Sequence, residues 1–421
     1  MPRIFSFLLF VLAFMLSAPF PALAQMNGSG YSRYGIGDLL YYPNSRAAAM
    51  GGTDIATAPS TVIDAINPAN WTGISMTRFS ASGIYRHVGT DDGTSSASYG
   101  TTLFNGFALA IPVSKPHGIV AAMTLQPYST VGYTILSSES QGGLSYDMNY
   151  HGEGGLSRAQ IGLSARFAGS VNLGLTYNYY FGSIRHNIMQ TTTIGGYQNS
   201  SSTREVQLKG SGVTLGFVFT GLGTMLKVPE KSAVHVGAFL STTSYLSADE
   251  ERRTGSATST VSAFDTVVYS TYKLKLPLRF GIGIGYITER FTAGSDITMQ
   301  NWDQTKYPGV LSATVRNSYR WSLGGELMPK REQGAPFMQK WAYRAGVYYN
   351  ATYFMIGTQP VNELGFSGGF SIPILGETRL DLTGEYGMRG STDSGMQKDN
   401  LFRLSFSIIG GEPWFVRPAE E

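Results

Sequence analysis

The stretch Gly365-Phe366-Ser367-Gly368-Gly369 matches the G-x-S-x-G nucleophile elbow letter for letter. An elbow needs a sharp strand-to-helix turn and a His and an acid converging on the Ser. Strand-like residues flank Ser367 on both sides, so hydrolase chemistry is not expected here. The histidines His87, His117, His151, His186 and His235 are dispersed without paired ligand spacing, which argues against a metal site. There is no cysteine, so neither a disulfide nor a thiolate-bound metal supports the fold. The residues with the sharpest chemical potential are arginines. Arg166, Arg279, Arg320 and Arg344 fall on the polar faces of alternating segments, where a guanidinium could hold a carboxylate by paired hydrogen bonds. The alternative is that they pair with Glu326, Asp381 and Glu385, or with the N-terminal segment, and keep buried charge neutral. The sequence therefore predicts no enzyme, no cofactor and no metal.

The segments carrying those arginines repeat every second residue. In "VNLGLTYNYYF" Val171, Leu173, Leu175, Tyr177, Tyr179 and Phe181 alternate with Asn172, Gly174, Thr176, Asn178 and Tyr180. "YKLKLPLRFGIGIGYI", "RLDLTGEY" and "LFRLSFSI" read the same way, with Arg279, Asp381, Glu385 and Arg403 on the polar side. A strand that shows lipid on one face and a lumen on the other has this period. Tyr319, Trp321, Trp341 and Tyr343 sit near strand ends, where aromatic girdles meet membrane interfaces. A large soluble β-sandwich would alternate similarly, but its strands are usually shorter, at about 5–6 residues. The runs predict strands near 76–88, 95–113, 117–135, 142–168, 170–194, 203–221, 231–247, 264–288, 290–301, 311–328, 339–357, 360–374, 377–390 and 399–410. That is about 14, an even number suited to a bacterial barrel. Lys115-Pro116-His117-Gly118 reads as a periplasmic turn, and 195–202 and 248–260 read as longer outer loops. The fold class is thus all-β, a transmembrane antiparallel barrel.

The chain opens with Arg3, an apolar run from Ile4 and an Ala22-Leu23-Ala24 cleavage pattern, which predicts an export signal over 1–24. The run is too short for a membrane anchor, and no later stretch could form a transmembrane helix. With 14% charged residues, a net charge of +3 and scattered Lys and Arg, nothing indicates nucleic-acid binding. Residues 25–74 lack strand alternation. "NSRAAAMGG" offers Asn44 or Ser45 as an N-cap and Gly51-Gly52 as a stop. "PSTVIDAINPAN" predicts a second helical turn, with Thr61 and Asp64 at capping-box spacing and Asn67-Pro68 ending it. Such short helices need a surface on which to bury Met50, Ile55, Val62, Ile63 and Ile66. A barrel of about 14 strands has a lumen its own side chains cannot fill. The segment is expected as a plug, with Gly281, Gly283 and Gly285 leaving room for it; the alternative is an extension resting on the periplasmic rim. The expected organisation is signal 1–24, hatch 25–74, barrel 75–411 and tail 412–421.

"SRYGIGDLL", "RAAAMGGTDIA" and "INPAN", leading directly into a first strand, resemble the FadL-type outer-membrane transport proteins, channels for long-chain fatty acids and aromatic hydrocarbons. Asn67-Pro68-Ala69 matches the family's NPA motif in the N-terminal hatch, and the surrounding wording is similar to versions from the Bacteroidetes lineage. The resemblance implies a 14-stranded barrel in a Gram-negative outer membrane. It also implies passive uptake of a hydrophobic small molecule, fatty-acid-like, which leaves sideways into outer-membrane lipid through a kinked third strand after the hatch shifts. Pro127 is the candidate for that kink, because it removes a ladder hydrogen bond; a rim bulge is the alternative. Gly51, Gly52, Asn67, Pro68 and Ala69 become candidate gating residues. The departure is at the end, where "GGEPWFVRPAEE" replaces a strand with a terminal aromatic. Some barrels resembling this family act instead as shuttles for type IX secretion, which makes a secretion-system protein or its cargo the alternative partner. A general porin is a third reading, which the plug argues against.

Overall fold

The computed structural model describes residues 28–412, apart from 43, 142–143, 193–197, 258–261, 306, 308–313, 331 and 333. The expected signal and residues 413–421 of the tail lie outside the described residues. The barrel strands are β1 (Thr77–Asp91), β2 (Ser96–Ser114), β3 (Ile119–Gln141), β4 (Leu144–Phe167), β5 (Val171–Thr191) and β6 (Asn199–Phe219). They continue as β7 (Ser232–Ser241 and Ser244–Ala257) and β8 (Ser262–Leu276 and Arg279–Thr288). The remaining strands are β9 (Phe291–Gln300), β10 (Ser318–Leu327), β11 (Ala342–Ile356), β12 (Gln359–Leu375), β13 (Thr378–Gly390) and β14 (Lys398–Glu412). All neighbours pair antiparallel, and β14 closes on β1 from Lys398 opposite Asp91 to Glu412 opposite Thr77. The result is a closed 14-strand antiparallel barrel. No helix among the described residues is long and apolar enough to cross a membrane.

Burial follows the alternation. On β5, Leu173, Leu175, Tyr177 and Tyr179 are exposed and Asn172, Gly174, Thr176 and Asn178 are buried, so the apolar row faces outward and the polar row lines the lumen. Two strands depart from the uniform faces read in the sequence. Leu274 and Leu276 are buried inside with Leu246, while Ile282 and Ile284 are exposed outside. The phase slips at Pro277, which lacks the N–H needed to continue the ladder, and β7 slips correspondingly at 242–243. The expected outer loop 248–260 is also corrected, since strand continues to Ala257. Its polar residues hold ion pairs instead of a loop: Asp249 takes Lys209 of β6 across the strands at 3.2 Å, and Glu251 takes Arg253 along β7 itself at 2.8 Å.

The N-terminal segment 28–76 contributes a 3-10 turn (Gly30–Arg33), a two-residue strand (Asp38–Leu39), a short helix α1 (Ser45–Ala49) and a second 3-10 turn (Pro68–Gly73). Asn44 caps α1 by accepting from Ala47 N at 2.7 Å. Gly51 and Gly52 stop it at φ +70° and +100°, with Gly52 N donating to Ala47 O at 2.7 Å. The helical turn expected before Asn67 is absent, and one begins after it. Asn67 is the N-cap and Pro68 the first residue of that turn, the position where a missing N–H costs nothing. Asp64 accepts instead from the backbone of Ile66 and Asn67.

Candidate functional site

The segment 28–76 is built against the inner faces of many strands. Met50, Ile55, Val62, Ile63 and Ile66 are all buried. Glycines clear the wall opposite Met50 and Ile55, while Ile63 and Ile66 pack in clusters with wall side chains such as Val120 and Phe239. A Cβ on Gly324 or Gly346 would overlap the Met50 backbone, one on Gly281 or Gly283 would press on Ile55 at 2.9 Å, and one on Gly285 would meet Thr57. Gly174 and Gly216, on β5 and β6, leave the same clearance for Asn67, Pro68 and Ala69.

Polar groups then tie the segment down. Arg46, fully buried on α1, donates to Asp54 at 2.7 Å, to Glu326 at 3.0 and 2.8 Å and to Thr57 O at 3.0 Å. Arg344 joins the same cluster, reaching Glu326 at 2.8 Å and Asp381 at 2.9 Å. Asp296 on β9 accepts from the backbone of Asp54 and Ile55 at 2.7 and 2.8 Å. Asn67 donates to Ile55 O at 2.8 Å and across to Phe217 O on β6 at 3.1 Å, while its own oxygen caps Ala69. Burial pushes the Asp54 and Asp64 carboxyls up from their ordinary range, against the pull of Arg46 on Asp54, and Asp54 adds to the rise at Asp64.

The barrel wall carries a seam between β2 and β3. β2 and β3 pair only from Phe107 opposite Leu125 down to Ser114 opposite Ile119. Above that level no β2–β3 pairing exists among the described residues, and the β3–β4 register shifts between Pro127 and Ser129. Phe104, Phe107, Met123 and Leu125 are exposed on the outer face beside the break, at the depth of lipid-facing side chains. The open edge of β3 is met from inside by the N-terminal segment: Asp38 pairs with Thr130 and Leu39 with Ser129. Gly37, at φ +87°, allows this approach, since a Cβ there would collide with Thr130 O. Asp38 is clamped by Arg389 at 2.7 Å and Arg86 at 3.3 Å, and Arg86 also donates to Thr130 at 2.7 Å. Two small cavities adjoin the seam. One of about 40 Å³ lies among Tyr41, Tyr42, Arg86, Asn105, Arg320 and Arg403; the other, of about 30 Å³, lies among Ser32, Leu103, Thr130 and Gly132.

The four candidate arginines separate by their partners. Arg166 donates to Thr72 O and Asn172. Arg344 is saturated by carboxylates. Arg320 donates to Gly51 O at 2.9 Å and lies 3.6 Å from the Tyr348 ring centroid, with Tyr41 and Tyr42 also facing it. Arg279 is buried yet makes no hydrogen bond or ion pair among the described residues; its guanidinium faces Tyr41 and Phe239. Arg158, also buried, donates to Ala65 O and faces Tyr128, and it too has no carboxylate. Ser367 sits mid-strand on β12, accepts from Gly51 N and donates to Ala49 O, each at 3.0 Å, so the apparent elbow motif serves to hold α1.

Fold and site together define an outer-membrane β-barrel whose inner face carries its own N-terminal segment. The family model BamG matches residues 5–419, and the chain belongs to the BamG family. Among solved structures, the chain is similar to the CymD monoaromatic hydrocarbon channel, at 14% identity over 90% of this chain and 99% of that one, with a TM-score of 0.57. It is similar to a Pseudomonas aeruginosa FadL homologue (13% identity, 89% and 99% covered, TM-score 0.57) and to the Ralstonia pickettii toluene transporter TbuX (13%, 87% and 98%, TM-score 0.56). At these identities the likeness establishes the FadL-type fold. No curated protein matches the sequence.

Proposed function

We propose that the protein is an outer-membrane channel for passive uptake of hydrophobic molecules, long-chain fatty acids or similar, gated by segment 25–74 acting as a hatch. The ligand leaves sideways through the β2–β3 seam at Pro127 into outer-membrane lipid. No cofactor and no bond chemistry take part. The observation that carries this reading is the seam itself: a ladder that stops at Phe107–Leu125, with its open β3 edge covered from inside by the N-terminal segment through Ser32, Asp38, Leu39 and Leu40. A row of unpaired backbone groups facing lipid is costly, so a wall that keeps one has a use for it. The seam cavities are far smaller than a fatty acid, so the arrangement described is the closed one. Asn67, Pro68, Ala69, Gly51 and Gly52 form the hinge points of the hatch, where it touches β6, β10 and β11.

Arg279 is the residue assigned to an anionic headgroup, assisted by Arg158. A buried guanidinium without a counter-ion is paired once a carboxylate arrives, whereas Arg166, Arg320 and Arg344 serve the hatch and the wall. Arg279→Gln is expected to weaken binding of palmitate to the purified barrel by about tenfold to a hundredfold, as for loss of one charged hydrogen bond. Binding of toluene, which has no charge, is expected to be unchanged. Equal weakening of both ligands would remove Arg279 from the headgroup role.

The closed, polar interior also favours a second reading, a FadL-like interaction protein that shuttles cargo in type IX secretion, in the manner of the Bacteroidetes versions. Native mass spectrometry of the barrel in mild detergent, with organic extraction, separates the two. A retained hydrophobic acid supports uptake; an empty barrel carrying a stoichiometric protein partner supports the shuttle.

A further inference from the structure

The barrel wall is uneven in height. β9 ends at Gln300, opposite Arg279, and β10 begins at Ser318. β7 and β8 continue outward past this level as a paired hairpin, from Leu276 opposite Ser244 to Ser262 opposite Ala257. On its other side the outer part of β8 has no ladder partner among the described residues. Just after β9, Trp302 is buried 4.7 Å from the Tyr353 ring, and Gln304 accepts from Lys275 of β8 at 3.0 Å. Among the described residues, 266–271 therefore present one bare backbone edge.

This edge stands in water. At its level the outward face of β4 to β7 carries ion pairs, Lys209 with Asp249 and Arg185 with Glu153 and Glu205, beyond the lipid-facing Tyr179 and Phe181. Natural sheets guard such edges with Lys, Pro, short length or a covering loop. Thr266-Val267-Val268-Tyr269-Ser270-Thr271 has neither Lys nor Pro, and its β-branched and aromatic residues favour strand. All six are exposed, Tyr269 at 74%.

We propose that this outer edge of β8 is a docking site at which a second protein on the cell surface adds an extended strand. The complement of a bare row of N–H and C=O groups is another extended backbone. The register continues the antiparallel pattern, with β-branched or aromatic partner residues opposite Val267 and Tyr269. A partner carboxylate lies opposite Lys273, which is exposed and has no partner among the described residues. A second copy of this chain in the same membrane does not supply this strand, because its β8 descends towards the membrane in the same sense. The inference is independent of what passes through the lumen.

Hydrogen exchange of the full chain tests it. Amides of 266–271 that face away from β7 are expected to exchange at least about tenfold more slowly in native outer membranes than in detergent-purified barrel. In the double variant Val267→Lys/Tyr269→Lys, two charges placed on the edge erase that difference, and the unchanged heat-modifiable gel mobility of the barrel shows that it still folds. Equal exchange in both settings overturns the proposal, as does protection that persists in the double variant. A Tyr269→Cys variant that forms a disulfide-linked homodimer in membranes, with protection reproduced by concentrating the purified protein, also overturns it and gives the edge to self-association.

Discussion

Replacing Arg46 by Met is expected to free the N-terminal segment while leaving the barrel folded. Arg46 is the one cation on α1, and it compensates Asp54, which is fully shut off from water, and half of Glu326, which is nearly so. Met preserves much of the volume but strands Asp54, and breaking a buried pair from one side costs about 3–5 kcal/mol. The ladders around the barrel do not pass through Arg46, so the cost falls on docking. Limited proteolysis within 28–76 is expected to become rapid in Arg46→Met, with the ionic conductance of the barrel in planar bilayers rising from near zero. Adding Asp54→Asn removes the stranded charge and is expected to restore part of the protection. A segment as resistant in Arg46→Met as in the parent would show that the apolar contacts alone hold it.

The second large effect is expected at Gly216. In a strand, Val is a better residue than Gly, so Gly216→Val favours β6 itself. Inside the lumen the added Cβ lies 2.8 Å from Ala69 N and from Pro68 Cδ and overlaps the Asn67 side chain. Backbone cannot yield as a flexible side chain does, and overpacking of this kind costs about 1–3 kcal/mol. The Asn67 bond to Phe217 O is lost with it, another ~1 kcal/mol. The variant is expected to fold into a barrel at least as resistant to heat as the parent, yet with a hatch released at the Asn-Pro-Ala turn. Cleavage near 67–73 by added protease measures that release. A variant with both properties unchanged would mean that the turn is not held by β6.

The two variants probe contacts that the sequence displays to different degrees. Alternation in "VNLGLTYNYYF" has one cause, lipid outside and a filled lumen inside, and the burial of Asn172, Gly174, Thr176 and Asn178 follows it directly. Where Pro277 interrupts β8, the same alternation misleads, since periodicity carries no record of a phase slip, and Leu274 and Leu276 turn inward. Polar hairpins are also invisible to hydrophobic period, so 248–257 reads as loop although its ladders to β6 and β8, with the Lys209–Asp249 pair across them, hold it as strand. The hatch is half readable. Asn44, Gly51 and Gly52 use local capping chemistry that sequence displays, whereas Asn67-Pro68 reads equally as an end or a start, and only the bond to β6 decides. The clamps Arg46, Asp38, Arg86, Arg389 and Asp296 have no short-range spacing; their partners are brought by register. Arg46 and Asp54 did leave a trace, as lone charges in an otherwise Ala-, Gly- and Ile-rich stretch. Arg279 was separable from Arg166, Arg320 and Arg344 only once their partners could be seen.

The account rests on the hatch closing the β2–β3 seam, and a removable staple across it tests that most directly. Leu39 and Ser129 are register partners, and Cα spacing of about 4.5–5.5 Å in such pairs suits a disulfide. The chain has no other cysteine, so Leu39→Cys/Ser129→Cys gives a single bond. Uptake of radiolabelled palmitate is to be followed in proteoliposomes of the full barrel, oxidised and then reduced. The predicted result is uptake lowered at least about tenfold on oxidation, as for a gate held shut by a covalent bond, and recovered with reductant. Equal uptake through the oxidised and reduced barrels would contradict the account.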